Sequence, residues 1–343
     1  MKIAFFDTKK YDENIFNEIN KSYDFEIDYF ETRLSKETAK LAKGYKVICG
    51  FVNDDFSKEV INELYENGTE FIALRSAGYN NVNLEETFGK VHVARVPNYS
   101  PYSVAEHTLA LILSMNRKVH KAFYRTRDNN FNINGLMGFD LHGKTMGVIG
   151  TGKIGKTLIK TLKGFEMEVL AYDKYPDKNY KDCTYVSLDE LYEKADIISL
   201  NCPLNKETYH MIDEDAISKM KDSVMIVNTG RGKLINTQDL IEALKEGKVG
   251  SAALDVYEEE AEYFFEDFSN EVIGDDMLSR LLTFPNVLIT SHQAFFTKEA
   301  VTDIATITLE NIKEYAQNET CKNEICYKCN KATCTKKEKG KCF

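Results

Sequence analysis

Three polar groups follow successive apolar runs in the second half of the chain. Arg231 comes after the run that ends at Val227, the acids 258–260 come after Leu254, and His292 follows Thr290. An arginine holds a carboxylate through two hydrogen bonds, an imidazole donates a proton, and a carboxylate favours the charged imidazole. Together these groups suit hydride transfer between a nicotinamide and a 2-keto or 2-hydroxy acid.

Each of these groups also has an ordinary structural interpretation. A single arginine is usually a solvated charge, a glutamate run is usually an exposed loop, and a single histidine is more often structural than catalytic. Glu258, Glu259 and Glu260 all qualify by position as the partner of His292, and the residues alone do not choose among them. The glycines beside Arg231 are expected to free the backbone and so direct the arginine into the site.

A glycine-rich hexapeptide points to a dinucleotide. Gly150, Gly152 and Gly155 form a G-x-G-x-x-G between a predicted strand and a predicted helix, and Asp173 ends the next strand. Such glycines let the backbone approach a pyrophosphate at a helix N-terminus, and the acid accepts hydrogen bonds from a ribose. Because Asp173 would repel a 2′-phosphate, we expect NAD rather than NADP. A tight structural turn is the alternative for the hexapeptide alone.

Short β-rich runs alternate with helical patterns, which is typical of parallel sheets. In the second half the strands are expected at 146–149, 167–172, 196–200, 224–227, 251–254 and 287–290. In the first hundred residues they are expected at 3–6, 25–30, 47–49, 71–74 and 91–93. The pattern predicts an α/β protein with two doubly wound parallel sheets, of Rossmann-like or flavodoxin-like type, separated by a cleft.

The same pattern predicts a division into domains. We expect a substrate domain from residues 1–100 and 296–318, because the last amphipathic helix has no strand to follow it and should return to the first sheet. Residues 101–295 should form the NAD-binding domain, and 319–343 a tail rich in cysteine and lysine. Histidines 107 and 120 lie in the helical pattern that begins the second domain, where packing or surface roles are expected.

Composition narrows the class of protein. With 343 residues, 43% of them hydrophobic, the chain is long enough for two globular domains. A formal net charge of −10 argues against a nucleic-acid partner, which needs a basic face. The first residues lack the apolar centre of a signal peptide, and no run would span a bilayer. We therefore expect a cytoplasmic protein with a small-molecule substrate and no membrane partner.

The motifs in their order resemble those of a known family. GTGKIG, YD, NTGRG, DVYEEE and SHQAFFT are similar to the D-specific 2-hydroxyacid dehydrogenases, most closely their fermentative D-lactate dehydrogenases, over about residues 1–316. The resemblance implies NAD-dependent interconversion of a 2-keto acid, with pyruvate first, and the D-2-hydroxy acid. It also implies a homodimer built through the cofactor domain.

The resemblance assigns individual residues as well. It implies Arg231, Glu260 and His292 as the catalytic residues, and so selects one of the three glutamates. It places the substrate on Arg231, on a loop containing Ser76, Ala77 and Gly78, and near Tyr99. The cofactor contacts implied by motif and resemblance together are Gly150, Gly152, Lys153, Ile154, Gly155, Asp173, Cys202, Pro203, Thr208, Thr229, Gly230 and Asp255.

Two other functions fit the same motifs. The first is a dehydrogenase for a bulkier keto acid such as phenylpyruvate or 2-ketoisocaproate. Four aromatic residues at family wall positions favour the methyl group of pyruvate instead: Phe51, Tyr99, Tyr102 and Phe295. The second is a non-catalytic, NAD-sensing protein resembling a transcriptional corepressor, for which turnover is the discriminating measurement.

The C-terminal segment departs from the family pattern. Five of the eight cysteines lie in the last 23 residues, among seven lysines and two glutamates. Cys321, Cys326, Cys329 and Cys334 have the spacing C-x₄-C-x₂-C-x₄-C, which suits zinc or an iron–sulfur cluster. A flexible tail with reduced thiols is the alternative, and the sequence assigns no metal ligand.

Overall fold

A computed structural model of the protein describes residues 1–329, 334, 336 and 342–343. The chain divides into two compact units. The first unit contains Met1–Ser100 and Thr297–Phe343, and the second contains Pro101–Phe296. The segment 319–343, a separate tail in the division expected from sequence, is grouped with the first unit.

The elements alternate along most of the chain. The strands are β1 Lys2–Phe5, β2 Glu26–Tyr29, β3 Val47–Gly50, β4 Phe71–Leu74, β5 His92–Ala94, β6 Thr145–Ile149, β7 Glu168–Tyr172, β8 Thr184–Tyr185, β9 Ile197–Leu200, β10 Val224–Asn228, β11 Val249–Leu254, β12 Val287–Ile289 and β13 Glu324–Ile325. The helices are α1 Lys10–Asn20, α2 Lys58–Glu66, α3 Leu84–Thr87, α4 Pro101–Arg117, α5 Val119–Arg127, α6 Lys153–Lys163, α7 Leu188–Lys194, α8 Glu214–Lys219, α9 Thr237–Glu246, α10 Asp276–Thr283 and α11 Lys298–Asn318.

The second unit is built on a parallel sheet of order β12-β11-β10-β9-β6-β7-β8. All six strands expected in this region are present, and β8 is an additional short edge strand. In β10, Val224 and Ile226 belong to one apolar core, while Met225 and Val227 belong to the other. Because both faces of the strand are buried, its sequence is a continuous apolar run rather than an alternating one.

Helix α6 shows how the sequence produces the layer on this sheet. Its apolar residues recur at helical spacing, so Leu158, Ile159 and Leu162 fall on one face and are buried. They pack in the same core as Val148 of β6. Helix α6 begins just after the carboxyl end of β6, and the glycine-rich hexapeptide spans that junction.

The first unit has a sheet of order β13-β5-β4-β3-β1-β2. Its five expected strands are present and parallel, and β13 joins the edge of β5 in the antiparallel direction. Helix α11 contributes Leu309 and Ile312 to the core that also contains Ile3 and Phe5. This unit is therefore assembled from both ends of the chain.

Two parallel α/β sheets confirm the predicted fold class. Within the part of the chain that the structure describes, no helix combines the length and the apolar character required to cross a membrane.

Candidate active site

The glycine-rich loop joins β6 to α6 beside the end of β9. Gly150 has φ +96°, and a Cβ there would lie 2.7 Å from the backbone of Asn201. A Cβ on Gly155 would lie 2.0 Å from the carbonyl oxygen of Gly150. Glycine is therefore required at both positions, by the left-handed turn and by the close approach of helix and loop.

The same loop can hold a pyrophosphate. Gly152 is the residue just before α6, and no side chain caps the start of this helix. A Cβ on Gly152 would meet nothing within 4 Å. The first amides of a helix need acceptors, and together with the helix dipole they favour an anion. Lys153 is exposed and Ile154 half-buried on the first turn. The loop thus fits the phosphate portion of NAD.

Asp173 ends β7 next to this loop. Its carboxylate accepts hydrogen bonds from the amide and hydroxyl of Thr151, at 2.7 and 2.9 Å, and from the amide of Tyr175 at 2.9 Å. Burial opposes ionisation of Asp173, but these hydrogen bonds outweigh it and lower its pKa. The neighbouring Lys174 forms an ion pair with Glu207. The end of β7 therefore carries an ionised carboxylate beside the glycine-rich loop.

The turn after β9 is closed by local contacts. The Thr208 hydroxyl donates to the carbonyl of Pro203 at 2.7 Å, and the Cys202 sulfur lies 3.5 Å from that of Met211. Burial raises the pKa of the Cys202 thiol to about 11, so it is a neutral apolar group. The expected cofactor contacts of Cys202, Pro203 and Thr208 stay predictions.

Arg231 lies in the turn after β10, which Asn228 organises. The Asn228 amide group accepts from the Gly230 amide at 3.0 Å and donates to the Arg231 carbonyl at 2.9 Å. Thr229 is held by a hydroxyl–hydroxyl contact of 2.9 Å with Thr108. The Arg231 guanidinium itself donates to the carbonyl of Gly230 at 2.7 Å.

The glycines beside Arg231 serve a different purpose from the expected one. Neither Gly230 nor Gly232 has a positive φ, so the backbone there adopts ordinary conformations. A Cβ on Gly232 would instead lie 1.9 Å from the carbonyl oxygen of Tyr257. Gly232 is needed because two backbone segments approach closely, which brings the arginine turn against the acidic run.

The three glutamates after β11 have different partners. Glu258 contacts Nε2 of His210 at 2.6 Å, and Glu259 forms an exposed ion pair with Lys233 at 3.0 Å. Glu260 contacts Nδ1 of His292 at 2.7 Å. Of these three glutamates, Glu260 is therefore the one that contacts His292. The family resemblance pointed to the same residue.

His292 and Glu260 form a largely buried pair. Their side chains are 17% and 16% exposed, and Glu260 also accepts from the amide of Tyr257 at 2.8 Å. The rings of Phe265 and Phe295 lie 5.9 and 6.5 Å from the His292 ring, centroid to centroid. A carboxylate at Nδ1 orients the imidazole ring. Nε2 is the ring nitrogen that remains for proton transfer.

Asp255 is buried beneath the loop that carries His292. Its carboxylate accepts from the amides of Gln293 and Ala294, at 2.9 and 2.8 Å, and from the hydroxyl of Thr290 at 2.5 Å. Its backbone carbonyl accepts from the amide of His292 at 2.7 Å. These contacts hold the backbone of His292 at φ +52°, a conformation that residues other than glycine rarely adopt. A cofactor contact of Asp255 stays a prediction.

His107 was missed as a member of this cluster. Its Nε2 lies 3.3 Å from the Asp255 carboxylate and 3.2 Å from the Thr290 hydroxyl. His107 has a structural role of the expected kind, but the sequence did not indicate that it supports the loop of His292. No sequence signal pairs it with an acid 148 positions later, and only the packing of α4 on the sheet shows the contact.

The expected substrate contacts outside this set lie in the first unit. The Ser76 hydroxyl donates to the carbonyl of Gly78 at 2.8 Å, in the loop that follows β4. Tyr99 is half-buried near the end of the same unit. The structure thus pairs Glu260 with His292 and places the turn of Arg231 in the same unit, where Gly232 approaches Tyr257. The roles of Arg231, Gly78 and Tyr99 stay predictions.

Comparison with known proteins identifies the family. Residues 109–294 match the family model "D-isomer specific 2-hydroxyacid dehydrogenase, NAD binding domain". The D-lactate dehydrogenase of Escherichia coli strain K12 is 49% identical over 329 residues, which covers 95% of this chain and 100% of that protein. The chain belongs to the D-isomer specific 2-hydroxyacid dehydrogenases. It is an NAD-dependent enzyme, as the motifs predicted.

Solved structures of family members agree with this assignment. The apo structure of E. coli D-lactate dehydrogenase superposes with a TM-score of 0.85 at 46% identity, covering 95% of this chain and 100% of that one. The pyruvate reductase of Chlamydomonas reinhardtii gives a TM-score of 0.86 at 40% identity, covering 92% and 96%. In this 2-hydroxyacid dehydrogenase, the loop 150–155 and Asp173 lie inside the region that matches the NAD-binding model.

Proposed function

We propose that the enzyme reduces pyruvate to D-lactate with NADH, and that Arg231, Glu260 and His292 are its catalytic residues. The observation that carries this proposal is the contact of 2.7 Å between Glu260 and Nδ1 of His292. The backbone of Gly232, next to Arg231, approaches Tyr257 in the segment that leads to Glu260, which supports a place for Arg231 in the same site. A hydrogen-bonded, partly buried imidazole and a guanidinium are the two groups that reduction of a 2-keto acid requires.

Each residue has a defined task in this reaction. The guanidinium of Arg231 holds the substrate carboxylate through two hydrogen bonds, which fixes the position of the adjacent carbonyl. NADH, when bound, supplies the hydride. His292 donates the Nε2 proton to the carbonyl oxygen, and Glu260 orients the ring for that transfer through its contact with Nδ1.

Two observations favour pyruvate over a larger keto acid. Phe295 is only 8% exposed and lies beside His292, so an aromatic ring occupies space next to the proton donor. The similar relatives named above are a D-lactate dehydrogenase and a pyruvate reductase. An apolar pocket discriminates by about 1–3 kcal/mol per methylene, which gives a preference that kinetics can resolve.

We propose the remaining site residues on the same basis. The ionised carboxylate of Asp173 would bind the adenosine ribose and exclude NADP. Gly78 and Tyr99 would contact the substrate. The further proposed cofactor contacts are Gly150, Gly152, Lys153, Ile154, Gly155, Cys202, Pro203, Thr208, Thr229, Gly230 and Asp255.

A panel of substrates tests the function. NADH oxidation is measured with pyruvate, 2-ketoisocaproate and phenylpyruvate, with NADPH run in parallel, and the chirality of the product is assigned enzymatically. We expect the highest kcat/KM with pyruvate, a D product and at least tenfold lower activity with NADPH. A higher kcat/KM with a bulkier acid would contradict the substrate. Tight NADH binding without turnover on any keto acid would instead support the sensor function.

We also propose a homodimer. Between residues 119 and 139 the second unit exposes several large apolar side chains, among them Phe131 at 74%, Ile133 at 79% and Met137 at 87%. Exposed apolar residues in such number are typical of an interface. Light scattering should give twice the chain mass of 39.2 kDa, and a monomer mass would contradict the proposal.

A further inference from the structure

Three cysteines of the C-terminal segment come together in the first unit. The sulfur atoms of Cys326, Cys329 and Cys342 all lie within 4.8 Å of one another. Cys326 and Cys342 are 5% and 1% exposed. Sulfurs bound about 2.3 Å from one tetrahedral zinc ion lie about 3.8 Å apart, so this spacing suits a single ion. An iron–sulfur cluster holds its thiolates around several metal atoms and needs wider separations.

The sheet positions the first of these cysteines. Strand β13 pairs with β5 through Glu324 opposite Ala94 and Ile325 opposite Val93, so Cys326 is the first residue beyond the paired strand. The buried carboxylate of Glu324 contacts Nδ1 of His92 at 2.6 Å. Pairing and this contact fix the chain immediately before the cysteine cluster.

Cys326 and Cys329 form a tight turn of the kind that binds metals. The Cys326 amide donates to the Cys329 sulfur at 3.1 Å, and the Cys329 amide donates to the Cys326 carbonyl at 3.1 Å. The two sulfurs are 4.0 Å apart. The turn therefore holds two sulfurs close enough to bind one ion.

Aromatic packing places Phe343, at the end of the chain, against His92 of β5. The ring of Phe343 stacks on His92 at 4.2 Å and meets Phe88 edge-on at 5.2 Å, centroid to centroid. Phe88 also contacts the ring of Tyr327 at 5.1 Å. These contacts hold Cys342 beside the Cys326–Cys329 turn, although Cys342 follows 13 positions after Cys329 in sequence.

The structure changes the set of candidate ligands. Cys321, which belongs to the C-x₄-C-x₂-C-x₄-C spacing, lies in the apolar core with Ile3 and Leu309 and outside the sulfur cluster. Cys342 takes the place of Cys321 in the cluster, although no short cysteine spacing in the sequence pointed to Cys342 as a ligand. Structural zinc sites bind four ligands, and among the cysteines of this segment Cys334, half-buried in the first unit, is the remaining thiol.

We propose that Cys326, Cys329 and Cys342 bind one structural zinc ion, with Cys334 as the fourth ligand. The ion would join the end of the chain to the edge strand β13 and so stabilise the first unit. Lys336 supports the segment that precedes the cluster, since its ammonium donates to the backbone carbonyls of Lys322 and Glu324 at 2.9 and 2.6 Å.

The test uses the full-length protein without an affinity tag, purified from zinc-supplemented cells and analysed for metals by mass spectrometry. We expect about one zinc per chain. Each of Cys326→Ser, Cys329→Ser and Cys342→Ser should retain less than a fifth of it. Cys183→Ser is the matched control, because Cys183 lies in the second unit and outside the cluster, and it should keep the full amount.

A second measurement does not depend on the folding of any variant. Cobalt(II) replaces zinc in the chelator-treated wild-type protein, and the spectrum reports the ligands. We expect thiolate charge-transfer bands and intense tetrahedral d–d bands, with weaker cobalt binding in Cys334→Ser. A zinc content below a tenth of an ion per chain, stoichiometric iron, a disulfide between Cys326 and Cys329 in peptide mapping, or an octahedral cobalt spectrum would each overturn the proposal. NADH-dependent turnover, measured alongside, reports separately on the dehydrogenase.

Discussion

Two of the histidine–glutamate pairs in the second unit are partly buried and have nearly the same length. His292 and Glu260 are 2.7 Å apart, and His210 and Glu258 are 2.6 Å apart. Their acids are two positions apart in sequence. Distance and residue type therefore do not distinguish the pair that we propose for catalysis from its neighbour.

The contacting nitrogen does distinguish them. In His210 the carboxylate takes Nε2, the nitrogen at the tip of the ring, whereas in His292 it takes Nδ1, near the backbone. The tip of the His292 ring is thus left for a substrate. Glu258 also accepts from the amide and hydroxyl of Thr237, at 3.2 and 2.9 Å, at the start of α9. The His210–Glu258 pair joins two segments of chain, which is a structural role.

The largest effect should come from removing the proposed proton donor. His292→Asn should lower kcat for keto-acid reduction by about 10²- to 10⁴-fold, which is the usual contribution of a positioned proton donor. NADH binding, followed by fluorescence, should change little. His210→Asn is the matched control and should keep kcat within a few-fold. Equal losses in the two variants would contradict the distinction between the pairs.

A smaller effect is expected from the acids. Glu260→Gln should lower kcat by about 10- to 100-fold, since a hydrogen bond to a charged group contributes about 1.5–3 kcal/mol. Initial rates at saturating substrate and cofactor measure kcat for each variant. Glu258→Gln should instead lower the thermal unfolding temperature and keep kcat within a few-fold of the wild-type value. A loss of kcat in Glu258→Gln as large as that in Glu260→Gln would contradict the assignment of Glu260 as the acid that supports His292.

The smallest of these effects concerns the substrate carboxylate, which neither pair binds in our proposal. Arg231→Lys keeps the charge but loses the planar fork. We expect KM for pyruvate to rise about tenfold, the effect of one lost charged hydrogen bond, with kcat reduced less. Initial rates at saturating NADH measure both constants. An unchanged KM would remove Arg231 from the substrate site.

The fold was largely predictable because long parallel strands are buried on both faces and read as apolar runs. The two strands that were missed, β8 and β13, are two residues long and lie at sheet edges. Such strands carry too few residues to form a pattern. They exist because a neighbouring strand offers its edge, which is a tertiary property. The predicted cleft between the units stays a prediction, as does the cytoplasmic location.

Candidate site residues could be proposed from sequence where a residue follows its own strand. Asp173, Arg231 and His292 were proposed in this way, since parallel strands end at a common edge. Contacts between separate segments were not predictable, because His107 and Asp255, or Glu258 and His210, are distant in sequence. The purpose predicted for Gly232 was also wrong. A glycine is needed there because the backbone of Tyr257, which follows a different strand, comes very close.

The sequence by itself determined the fold class, the cofactor loop and the types of residue that collect at the strand ends. These depend on local patterns: apolar periodicity, glycines at a turn, and polar residues directly after a strand. Tertiary structure alone decided which glutamate meets His292 and which cysteines meet one another. Such choices depend on directions and distances between segments, and a difference of two positions in a turn sends Glu258 and Glu260 to different histidines.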